Sequence, residues 1–275
     1  MNNFLIPTDF SETSKNAARF AANLANVVPD SQLILFNVFD TIEAGSDGTP
    51  LESDDAARQT VMELALESVK TELSGITSAP MKTVVEEKHN FVDTLDRYIR
   101  HHPVQLVVMG ITGGSKLEQV FVGSNTLNLI ERQVAPVMIV PADAQFKAAK
   151  NIMLISDFKD IDKTIPIHDL KNVLNLFRAN LHIVNVNAEH YVQITKEYQS
   201  ERAKLEKMLE EYNPEFYFIR MYNFMEPINQ FVEDKDIDLI ITIPRHHSFL
   251  SHFFKSTHTS KLAYQSKVPI IAVHS

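Results

Sequence analysis

The chain has 275 residues, an apolar fraction of 44% and a net charge of −9. That length holds two domains of ordinary size, and the balanced composition excludes a disordered or low-complexity chain. With no cysteine, disulfides, thiolate catalysis and cysteine-zinc sites are all excluded. An acidic chain also lacks the basic patch that tracks a phosphodiester backbone, so nucleic acid is not expected as a partner. The acidity is uneven: residues 1–147 carry 19 acids and 11 bases, the remainder 16 and 15. No apolar run reaches the length of a membrane span, so no membrane partner is expected. The opening MNNFLIPTDF has no basic segment followed by a long apolar core, and a cytoplasmic location is the expectation.

Phe4 to Thr8 reads as a short apolar strand ending at Asp9. Ser11 then caps a helix whose apolar positions, Ala17, Ala18, Phe20, Ala21 and Leu24, follow helical spacing. Leu33 to Val38 is a second buried strand, 45–53 a loop, and Asp54 to Leu73 a long helix. The acids Asp54, Asp55, Glu63, Glu67 and Glu72 on that helix read as a solvated face. Met81 to Glu87 is a third strand, Phe91 to Arg100 a helix, and Leu106 to Met109 a fourth strand. A glycine-rich loop follows, then a helix from Ser124 to Gln133 and a fifth strand, Val137 to Val140. Strands alternating with helices predict an α/β fold with a parallel sheet covered on both faces.

The pattern then repeats. MLISDF at 153–158 matches LIPTDF at 5–10, and LHIVNV at 181–186 matches LILFNV at 33–38, both at an offset of 148. YNFMEPINQFV at 222–232 resembles HNFVDTLDRYI at 89–99, DLIIT at 238–242 parallels QLVVM, and VPIIAV at 268–273 parallels APVMIV, now at an offset of 133. The second copy is therefore 15 residues shorter between its second and third strands. Two tandem domains are expected, 1–143 and 150–275, joined by a polar, alanine-rich linker; a solenoid would show shorter periods.

Four of the chain's seven glycines, Gly110, Gly113, Gly114 and Gly123, lie in the one loop after the fourth strand. Such a loop lets backbone N–H groups approach an anion, and the helix opening at Ser124 adds its own free N–H groups and dipole. At the repeat offset, Gly110, Gly113 and Gly123 become Ile243, His246 and Ser256, and the second half contains no glycine. A strand scaffold persists there while a phosphate cradle does not, which confines an expected phosphate-bearing ligand to the first half. The competing reading is that the glycines only make turns. A Walker A loop is absent, because Gly114-Ser115-Lys116 lacks its order, and so is the dinucleotide fingerprint.

The spacing G-x2-G-x9-G-S, together with the opening FLIPTDFSETSKNAARFA, resembles the tandem two-domain members of the universal stress protein family across essentially the whole chain. The resemblance implies two open parallel five-stranded sheets flanked by helices, with adenine-nucleotide hydrolase-like or flavodoxin-like winding. They would pack as an intramolecular pseudo-dimer through their last strands, Val137 to Val140 and Ile270 to Val273. It implies a stress-response protein that binds ATP, with Mg²⁺ as an optional companion. The residues that match the family's nucleotide site are Pro7, Thr8, Asp9, Val38, Met109, Gly110, Gly113, Gly123, Ser124, Asn125 and Thr126. Asp9 would repel bare phosphates and is better suited to accept from ribose or adenine, or to stand near a metal. No local motif places a general base for water attack, so no enzymatic activity is assigned. The rivals are a nucleotide-free interaction module and a slow ATPase or phosphotransferase. The resemblance leaves room for a homodimer of two such chains and for a protein partner that the sequence does not name. His246, His247, His252 and His258 crowd the second half's loop, where drift after loss of phosphate binding explains them better than zinc or nickel.

Overall fold

A computed structural model describes residues 1–39, 55–87, 90–110, 124–187, 195–220, 225–244 and 268–274. In the first half, β1 (Asn2–Pro7), β2 (Ser31–Phe39), β3 (Met81–Glu87), β4 (Leu106–Gly110) and β5 (Val137–Val140) alternate with α1 (Glu12–Val27), α2 (Asp55–Ser74), α3 (Phe91–His101) and α4 (Ser124–Arg132). In the second half, β6 (Asn151–Ser156), β7 (Asn180–Asn187), β8 (Glu215–Arg220), β9 (Leu239–Thr242) and β10 (Ile270–Ala272) enclose α5 (Ile161–Thr164), α6 (Ile167–Phe177), α7 (Lys196–Met208) and α8 (Met225–Asp234). The two expected five-stranded sheets are the halves of one ten-stranded sheet, in the order β3-β2-β1-β4-β5-β10-β9-β6-β7-β8. Within each half the pairing is parallel, and the winding is the same in both.

The halves meet where β5 and β10 pair antiparallel, Ile270 with Ile139, Ile271 with Met138 and Ala272 with Val137. Met138 thus lies opposite Ile271, its own counterpart at the repeat offset of 133. A residue paired with its own copy marks a twofold axis, here a pseudo-twofold relating the halves. The physical cause is that the last strand of each half is apolar and would otherwise leave an open edge. One buried apolar cluster runs across this junction, holding Phe20, Leu24 and Met138 with Leu174, Leu239 and Ile271. On the opposite face each half has a separate cluster, with Ala272 of β10 joining that of the first half.

The connection between halves is packed rather than free. Asn16 donates to the carbonyls of Pro141 and Ala144 at 3.2 and 3.3 Å, and Phe146 stacks edge-on against Phe20. Asp238, with a side chain only 3% exposed, accepts from Lys147 Nζ at 2.6 Å and from the N–H groups of Lys150 and Asn151 at 2.8 and 3.2 Å.

The second half departs from the first in one helix. Where α1 runs unbroken, the second copy stops at Thr164 and restarts at Ile167. Pro166 is the cause: it offers no N–H and holds Ile165 extended, at φ −95° and ψ 113°. The shortening between second and third strands falls partly on the helix, 20 residues in α2 against 13 in α7. Among the described residues, Glu63, Glu67 and Glu72 are exposed, as their helix pattern indicated. Among the described residues no helix is long and apolar enough to cross a membrane.

Candidate functional site

Successive strands leave β1 first on the β2 side and later on the β4 side. The carboxyl ends of β1 and β4 therefore flank the topological switch point, where open α/β sheets form a crevice. A cleft of about 490 Å³ opens there. Pro7, Thr8, Asp9, Val38, Met109, Gly110, Ser124, Asn125 and Thr126 all line it. Gly113 and Gly123 lie outside the described residues, as do the four loop histidines and Lys116. Four further residues line the cleft that sequence reasoning did not place in it: Ser11, Thr13, Ser14 and Phe91. A signal for the first three was present, since they form the S-E-T-S start of the helix that leaves the first strand.

The strand-end turn is built by short-range hydrogen bonds. Asp9 Oδ1 accepts from the Ser11 N–H at 3.0 Å and from Ser11 Oγ at 2.6 Å. Ser11 Oγ in turn accepts from the Ser14 N–H at 3.3 Å and caps α1. Its one proton goes to Asp9, so in its 3.1 Å contact with Thr13 Oγ1 the threonine donates. Ser14 Oγ donates to the Ser11 carbonyl at 3.0 Å, which leaves Thr8 Oγ1 as donor in their 3.0 Å contact. Thr8 Oγ1 also accepts from the Phe10 N–H at 3.0 Å, and Phe10 sits in the left-handed region at φ 65°. The hydroxyl protons of Thr8, Ser11 and Ser14 are thus committed internally. Partial burial pushes the Asp9 carboxyl up, but the bonds from the Ser11 hydroxyl and N–H outweigh it and hold the pKa below its usual value.

The same turn stands in the second half. The Phe158 N–H donates to Ser156 Oγ, the Lys159 N–H donates to Asp157 Oδ1, both at 3.2 Å, and Phe158 has φ 52°. Asn37 and Asn185 each donate to the carbonyl of the first strand's last hydroxyl residue, Thr8 at 2.8 Å and Ser156 at 3.2 Å. The strand-end acid is therefore part of the scaffold in both copies. What differs is the opposite wall. A Cβ on Gly110 would come within 2.3 Å of the Thr13 carbonyl oxygen and 2.7 Å of its carbon. Gly110 is required so that the first turn of α1 can close on the end of β4, a cause independent of any ligand. Its counterpart Ile243 is 8% exposed and joins the apolar cluster of Ile161 and Ile165, where the helix is broken.

The cleft wall is divided chemically. Pro7, Val38, Phe91 and Met109 form an apolar part; Asp9, Ser11, Thr13, Ser14 and the start of α4 form a polar part. Among the described lining residues Asp9 is the one charged group, so attraction for an anion rests on backbone N–H groups and the α4 dipole. The first turn of α4 carries no acid, and Ser124 and Asn125 are exposed at its start.

Fold and cleft define a doubly wound α/β protein, duplicated about a pseudo-twofold axis, with a ligand-sized crevice at one switch point. The universal stress protein family model matches residues 1–141. The solved structure of a universal stress protein from Archaeoglobus fulgidus is similar over 99% of this chain and 98% of its own, at 17% identity and a TM-score of 0.68. A Pseudomonas aeruginosa protein assigned to the universal stress proteins is similar over 100% of this chain and 93% of its own, at 12% identity and a TM-score of 0.58. No curated protein sequence matches significantly. The chain belongs to the universal stress protein family.

Proposed function

We propose that the first half binds an adenine nucleotide, ATP, and that binding switches or stabilises a protein acting in the stress response. The observation that carries this is convergence: residues 7–9, 38, 109–110 and 124–126 line one cleft of about 490 Å³, a size that suits a small-molecule ligand. The divided wall supports the orientation. Pro7, Val38 and Met109 would hold the base, Asp9 would accept from the sugar or base, and the start of α4 would face the phosphates. Gly113 and Gly123 complete this assignment from the sequence. Mg²⁺ would enter with the nucleotide, held mainly by its phosphates and water. What a bound nucleotide would supply is binding energy to the folded form, by mass action.

We take 1–143 and 150–275 as two domains with the ligand confined to the first. The second would serve as a structural or partner-binding copy, and two chains would pair as a cytoplasmic homodimer. The test is to denature the purified chain, identify any released nucleotide by chromatography, and titrate ATP with and without Mg²⁺. Gly123→Val is expected to abolish binding and leave the fold intact; unchanged ATP affinity in that variant refutes the site.

A second reading, a nucleotide-free interaction module, is favoured by the finding that Gly110 and the strand-end turn are explained by packing alone. No released nucleotide and no calorimetric ATP binding would establish it. Phosphate release over hours would instead mark slow hydrolysis.

A further inference from the structure

We infer that Phe91 is the residue that selects a planar nucleobase in this cleft, an assignment that rests on the nucleotide reading above. Phe91 is the first residue of α3, and its place is set by a tight helix start. Asn90 caps that helix through a 3.1 Å bond from the Asp93 N–H to Asn90 Oδ1, and the Asn90 carbonyl accepts from Thr94 Oγ1 at 2.8 Å and from the Thr94 N–H at 3.2 Å. The ring packs partly on the apolar cluster that also meets Val38, and it lines the cleft. Of the described lining residues it is the one aromatic side chain.

A nucleotide divides as the cleft does, into a flat, weakly polar base and a polar sugar with phosphates. The aliphatic walls of Pro7, Val38 and Met109 would accept any apolar group of the right volume. An aromatic face adds stacking, which every base can use and which a saturated ligand cannot match. Such stacking contributes about five- to hundredfold in affinity per base. The repeat supplies a control on this reasoning. Phe224 holds the matching place in the second half's sequence, where no phosphate cradle is expected, so a phenylalanine at this place does not by itself mark a ligand. The test must therefore separate packing from stacking.

Calorimetric titration of the full chain with ATP does this when paired with a denaturation midpoint for each variant. Phe91→Leu, which keeps apolar bulk and loses the ring, is expected to weaken ATP at least about tenfold with an unchanged midpoint. Phe91→Tyr, which keeps the ring, is expected to bind ATP within about threefold of the parent. Phe91→Met serves as a second non-aromatic variant where Phe91→Leu lowers the midpoint. ATP affinity in the non-aromatic variants equal to the parent's overturns the assignment, as does an equal loss in Phe91→Tyr. A parent chain that binds no ATP at all overturns the nucleotide reading itself and this assignment with it.

Discussion

Gly110→Ala tests whether close packing, rather than a ligand, demands this glycine. The added Cβ would stand 2.3 Å from the Thr13 carbonyl oxygen, where ordinary contact begins at 3.4 Å. The first turn of α1 must therefore retreat by roughly 1 Å. The obstacle is backbone inside a helix, so no side-chain rotation relieves it. Retreat also loosens Ala17, Ala18 and Ala21, all fully buried along α1. Overpacking of this kind costs about 1–3 kcal/mol. Gly110 is not in the left-handed region, so alanine brings no dihedral penalty; by restricting the unfolded chain it returns about 0.4–1 kcal/mol. The obstacle being backbone puts the cost at the upper end, and the net expectation is a destabilisation of about 2 kcal/mol. Urea unfolding followed by far-ultraviolet circular dichroism suits a chain without tryptophan. The midpoint should fall with the slope unchanged. A variant within about 0.5 kcal/mol of the parent refutes the packing explanation and returns Gly110 to the ligand.

The reciprocal change, Ile243→Ala, should empty a buried position and cost about 2–5 kcal/mol by the same measurement. His274 is 5% exposed with neither ring nitrogen hydrogen-bonded among the described residues, and burial pushes its pKa down to about 4. Below the unfolded value near 6.5 the unfolded chain takes up a proton that the folded chain refuses, so stability falls as pH drops towards 4; His274→Leu should remove about 2 kcal/mol of the loss between pH 7 and pH 5, and an unchanged pH profile counts against it. Asp238→Ala should cost about 3 kcal/mol by stripping the acceptor from Lys147, Lys150 and Asn151, with faster amide exchange at Lys150 and Asn151 as its local signature. Burial raises the Asp238 pKa but the bond to Lys147 and those from the backbone bring it below the usual value, so this clamp holds at neutral pH and is lost only as pH falls below about 4.

Much of the architecture was readable from local pattern. Met81–Glu87 and Val137–Val140 form strands with the bounds their sequence indicated, and Ser11 caps the helix it precedes. These features depend on neighbours a few residues away, where periodicity and capping chemistry operate. The junction was readable too, because an apolar strand at the end of each copy needs a partner. The break at Pro166 carried a local signal in the proline itself, which the repeat comparison passed over. Phe91 as a cleft residue carried none, since its relation to Val38 and Met109 exists only after the helices cross the sheet.

The amino-acid sequence by itself determined the duplication, the order of strands and helices, and the loss of glycine from the second copy. Those are properties of single segments and of comparisons between segments. Tertiary structure alone decided why Gly110 is glycine. Its reason is the carbonyl of Thr13, 97 positions earlier in the chain, brought within 2.3 Å of where a Cβ would stand. It also decided that Met138 faces Ile271 across the pseudo-twofold axis. Contact between distant segments is set by how helices close on a twisted sheet, and no local pattern encodes that distance.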